Sequence, residues 1–192
     1  MGKGIRRSLL LSILYCLQPA VLLSMNLQYP LKSTPYHPDY GLAVIRIVTG
    51  IWFLKSAFTK LSLPLPIVSE DYINRLPKLL QRYASENPIG WYKSFLEHTA
   101  IPQAKLFAIL TAYGETGVGL GLTLGLLTVF CAFVGLFLSI VYGLATHWMS
   151  PGQMGFHVLL VTCMLVFLFT RAGRTLGVDR WLAQKFPQGP FW

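Results

Sequence analysis

Arg46, Lys55 and Glu115 are ionisable residues embedded in long apolar stretches, and such residues are costly in hydrocarbon unless they face a protein interior with a partner. If the stretches that hold Arg46 and Glu115 are antiparallel neighbours, the two side chains fall at similar depth and a buried pair between them is predicted. That pair has two readings. It can be a clamp that orients two helices. Alternatively, Arg46 binds an anionic or carbonyl oxygen, such as that of a quinone head group, and Glu115 relays protons. On this second reading Arg46 and Glu115 are the candidate catalytic residues. Arg46, Lys55 and Trp52 are then the candidate cofactor-binding residues. Lys60, at the end of the same stretch, is expected to reach the interface as an ordinary snorkelling lysine.

His147 and His157 flank the connection between the last two apolar stretches, where two axial ligands of a haem or pigment would stand. Interfacial histidines commonly have no ligand, and no metal is assigned to them. The cysteines Cys16, Cys131 and Cys163 lie far apart in apolar runs without CxxC spacing, as packing cysteines do. No haem, flavin or iron–sulfur motif is present, so any electrons handled here need a partner chain or direct reaction with a quinone.

The elements that position these residues follow from composition. Of 192 residues, 54% are hydrophobic and only 12% charged, which excludes an ordinary soluble domain. Apolar runs at 41–61, 104–122, 126–146 and 154–170 approach the roughly 20 residues a helical crossing needs. They predict an all-α integral membrane protein built as a four-helix transmembrane bundle, with residues 41–182 forming the membrane domain. Residues 1–40 contribute a hydrophobic helix, 9–23, and a proline-punctuated connector; residues 183–192 form a short tail. The 9–23 run lacks small residues at a cleavable spacing, so it is read as retained, either as an anchoring helix or as a fifth span.

Between the first two spans the composition changes. Residues 69–85 begin with Glu70 and Asp71 and end with Arg82, which suits a helix dipole. Residues 89–100 place Trp91, Tyr92, Phe95 and Leu96 at helical spacing, giving an amphipathic interfacial loop. Gly117 and Gly121 form a GxxxG, as do Gly121 and Gly125, predicting a close helix–helix surface. The net charge of +9 is carried mostly by connections and tails and is read as contact with lipid head groups, with no nucleic-acid partner.

Arg46, Gly50, Phe53 and Lys60 resemble the first-span signature of the DoxX superfamily. The run Asn87-Pro88, Trp91-Tyr92, Phe95-Leu96, Pro102, Phe107, Gly114-Glu115, Gly119, Leu122, Gly125-Leu126 is similar to its DoxD branch, the small subunit of thiosulfate:quinone oxidoreductase. Ala172-Gly173-Arg174 with Gly177 and Asp179 resembles the superfamily's closing motif. The resemblance implies four spans with both termini cytoplasmic, an inner-membrane location, and a subunit of a quinone-linked redox system with other membrane subunits as partners. It does not by itself imply thiosulfate as the donor. The other function the sequence supports is a non-catalytic accessory subunit of a larger respiratory or photosynthetic complex.

Overall fold

A computed structural model describes residues 39–62, 67–187 and 189, so the 9–23 helix and Cys16 lie outside the described residues. Among the described residues four helices are long and apolar enough to cross a membrane: α1 (Tyr40–Phe58), α4 (Ala104–Leu124), α5 (Thr128–Thr146) and α6 (Pro151–Thr170). Between α1 and α4 lie α2 (Glu70–Ser85), α3 (Gly90–Phe95) and a single wide π turn, Leu96–Ala100. A 3-10 turn, Ala172–Arg174, and the short α7 (Asp179–Lys185) follow the last span. No strand occurs among the described residues, and the chain is an all-α, multi-pass membrane protein in contact with the lipid bilayer.

Local chemistry explains the helix ends. Asp39 caps α1 by accepting from Leu42 N at 2.9 Å. Span α6 begins at Pro151, three residues earlier than hydropathy alone places it. There Ser150 Oγ accepts from Gln153 N at 3.2 Å, and proline suits the first helical position, where no N–H is needed. Glu70 and Asp71 open α2 and Arg82 lies in its last turn, as the dipole argument requires. Gly125 ends α4 at φ +63°, a left-handed conformation that glycine adopts without strain.

The spans pack in the order α1 on α4, α4 on α5, α5 on α6. Phe53, Val118, Leu122, Ala132, Leu138, Met164 and Phe167 fill the core between them. Glycines set the closest approach, but not the pair the GxxxG spacing suggests. A Cβ on Gly50 would meet Thr123 N at 2.6 Å, and one on Gly119 would meet Leu54 N at 2.8 Å, whereas Gly117 has open space beside it. The α1–α4 contact therefore runs along Gly50 and Gly119, and Gly121 instead admits the Cys131 side chain of α5.

The loop segment predicted to be interfacial docks on the bundle. Tyr92, Leu96 and Ala100 bury at i, i+4, i+8 against Ala84 and Ala145, while Trp91 stays exposed. Two polar anchors fix it to α5: Tyr92 donates to Val141 O at 2.8 Å and Asn87 Nδ2 to Leu144 O at 2.9 Å. Burial pushes the Tyr92 phenol up to about 12, with Tyr83 adding to the shift. The unfolded phenol ionises near 10, so between those values the unfolded chain holds fewer protons and folding loses stability as pH rises. Docking is thus expected to be at full strength below about pH 10 and to fail as pH passes about 12. A pH-resolved proteolysis of the 86–103 segment checks this, and Tyr92→Phe should remove the Tyr92 part of the dependence.

Candidate functional site

Glu115 is 1% exposed, on the face of α4 that turns toward α1 and α5. Its Oε2 receives Lys60 Nζ at 2.5 Å, and its Oε1 receives the Tyr142 hydroxyl at 2.7 Å. Lys60 also donates to Ser56 Oγ at 2.8 Å, one turn back on the end of α1. The Tyr72 ring lies 5.7 Å from the same ammonium, and its hydroxyl shares a 3.0 Å hydrogen bond with Thr111 Oγ1. Burial holds the Tyr72 phenol above its ordinary range, an effect the Thr111 bond partly offsets. A buried carboxylate is thereby satisfied on both oxygens, by an ammonium on one side and a phenol on the other. Chemically, this is a hydrogen-bonded chain, lysine to carboxylate to phenol, along which a proton can be held and passed.

Lys60 was expected to snorkel outward. It turns inward because an unpaired carboxylate at this depth is costly and Lys60 is the cation within reach. Its side chain is 13% exposed against 2% for that of Glu115, so Lys60 is the accessible end of the pair. Tyr142 carried one signal that the sequence reading passed over: a phenol in a transmembrane helix needs a hydrogen-bond partner. The role of Tyr72 depends on how α2 folds back on α4. The link from α1 to α2 sets that path, closed by Ser62 N to Ile67 O and Ser69 N to Lys60 O, both 2.8 Å.

The predicted Arg46–Glu115 pair does not form. Gly50 lies against Thr123 and Gly119 against Leu54, so the antiparallel register sets Arg46 level with the Gly125 turn and Glu115 level with the end of α1. The offset is about eleven residues, or about 17 Å along the helix axis, beyond an arginine's reach. Arg46 is fully buried elsewhere. Its Nη1 donates to the carbonyls of Leu122 and Thr123 in the last turn of α4; its Nη2 donates to Thr175 O at 3.3 Å and Leu176 O at 3.0 Å. Close by, buried Asp179 accepts from Leu127 N at 2.7 Å and Thr128 N at 2.9 Å, at the start of α5. A cation thus meets the C-terminal end of one helix dipole and an anion the N-terminal end of the next. Arg46 holds a structural knot, and Asp179, legible earlier only as part of a closing motif, is its counterpart.

The structure brings Lys55 and Trp52 together, with the ammonium 5.5 Å from the ring centroid, on the exposed side of α1. Trp52 also touches Phe156 of α6, ring centroids 5.5 Å apart. Neither joins the Glu115 chain. His157 is buried and shares a 3.0 Å hydrogen bond with Thr146 Oγ1, while His147 Nδ1 is 3.1 Å from Gly143 O on its own helix. Among the described residues no group of three or more His, Cys, Asp or Glu is placed to hold a metal ion.

Residues 40–190 match the family described as TQO small subunit DoxD, and the chain belongs to that family. No curated protein and no solved structure matches it.

Proposed function

We propose that this DoxD-family chain is the membrane subunit of a quinone-linked redox system in the cytoplasmic membrane, and that it supplies protons rather than electrons. Reduction of a quinone to its quinol takes two electrons and two protons. A partner chain oxidising a small sulfur-containing donor provides the electrons, since no redox-cofactor motif occurs in the sequence. Protons come through Lys60, Glu115 and Tyr142. The single observation that carries this reading is the fully buried Glu115, paired with a cation that is itself partly accessible. Apolar residues often replace a buried pair without loss of stability, so an ionisable chain kept inside the bundle suits proton traffic.

Purification from the native membrane in a mild detergent tests the assembly. The expected result is a stoichiometric redox partner and extractable quinone alongside this chain, found by mass spectrometry. A lone chain without quinone counts against the proposal.

A further inference from the structure

Two clefts open where α1 ends and α2 begins, and Thr59 walls both. The first, about 530 Å³, lies on the outward side of α1, with Ile51, Leu54 and Phe58 as its apolar floor and Lys55 at its edge. The second, about 490 Å³, is bordered by Tyr72, Arg75 and Lys78 of α2. Lys55 and Lys78 are exposed; Arg75 is also exposed and shares its charge with Asp71 at 2.9 Å. An exposed lysine on the outward flank of a span is costly in hydrocarbon. Lys55 stands one turn before the end of α1, so its stem can lie along the apolar wall while the ammonium reaches the head-group layer. Beside it, the neighbouring Trp52 is the kind of side chain that settles at this level.

The two clefts adjoin at Thr59: the first is apolar with Lys55 at its edge, and the second carries Arg75, paired with Asp71, and Lys78. That combination complements an amphiphile with an anionic head and a hydrocarbon tail. A neutral quinone head would leave the rim charges unanswered. We infer that this slot binds an anionic phospholipid, its phosphate held among Lys55, Thr59, Arg75 and Lys78 and an acyl chain lying along Ile51, Leu54 and Phe58. The inference does not rest on the redox reading: Lys60 and Glu115 pair inward, and Tyr72, which lies between Lys60 and the second cleft, is not among the residues assigned to the phosphate.

The test is lipid retention by the full chain in nanodiscs, comparing phosphatidylglycerol with phosphatidylcholine of the same acyl chains by native mass spectrometry. The expected result is one retained phosphatidylglycerol per chain in preference to phosphatidylcholine. At roughly fivefold per basic group, Lys55→Gln with Lys78→Gln should weaken retention roughly twenty-five-fold. The control pair Arg180→Gln with Lys185→Gln, on exposed residues beyond the last span, should leave it unchanged. Equal retention of both lipids, no effect of the Lys55 and Lys78 changes, or an equal loss in the control pair would overturn the inference. Displacement of the lipid by millimolar inorganic phosphate would also overturn it, assigning the rim to a free oxyanion.

Discussion

Replacing Glu115 with Gln is expected to destabilise the bundle severely, and replacing Lys60 as well is expected to restore it. In the single variant Lys60 keeps its charge but loses the carboxylate 2.5 Å away. Breaking one side of a buried pair costs about 3–5 kcal/mol, a large part of the stability of an ordinary domain. Lys60→Met alone strands Glu115 in the same way. Together, Lys60→Met with Glu115→Gln removes both charges, and a neutral amide can still accept from Tyr142. Thermal unfolding in detergent should therefore show two strongly depressed singles and a double variant close to the parent, a large coupling in a double-mutant cycle. Folding and function then separate. If the chain carries protons, the recovered double variant assembles yet loses about 10²–10⁴-fold in donor-dependent quinone reduction, the range of a lost proton-transfer group. Full activity in that assembled variant would make the pair a clamp and the chain an accessory subunit.

The sequence and the structure part company at the register of α1 against α4. Four spans were legible because a long apolar run has few alternatives to a membrane helix, and each lands within a few residues of its predicted bounds. Glu115 was legible as well, since a carboxylate in such a run needs an explanation whatever the fold. Its partner was not. Choosing between Arg46 and Lys60 requires the axial offset of two antiparallel helices, and that offset is set by how Gly50 and Gly119 let the backbones meet. Glycine spacing within a single helix pointed to Gly117, which turns out to face open space. Tyr142 and Tyr72 join the site from other elements, through contacts 27 and 39 residues apart in the chain, which no local pattern encodes. The N-capping of α6 was written in Ser150-Pro151, but hydropathy gave those polar residues to the turn.

Arg46 supplies the second large effect, and it should be one of stability. Four carbonyls converge on its guanidinium, two from the last turn of α4 and two from the 175–176 loop. Leu176, one of those four, has φ +50°, and Leu127, whose amide Asp179 holds, has φ +47°. Left-handed leucines are strained and persist only where surrounding contacts over-determine them. Arg46 and Asp179 provide those contacts from opposite sides of the Gly125 turn, where Gly177 also packs so closely that a Cβ on Gly125 would sit 2.7 Å from its Cα. Arg46→Lys keeps the charge but replaces a planar fork with a point donor that cannot serve both peptide segments. Each buried carbonyl left unpaired costs about 1–3 kcal/mol, so a loss of several kcal/mol is expected for Arg46→Gln, and most of it for Arg46→Lys. Asp179→Asn keeps one acceptor oxygen and should cost about 1–3 kcal/mol. Because both residues secure the same 175–179 loop, the double variant should lose less than the sum of the singles. Unfolding midpoints of the three variants and the pair decide the matter. An Arg46→Lys protein as stable as the parent but unable to retain quinone would return Arg46 to the role of a head-group ligand, and the knot would then rest on Asp179 alone.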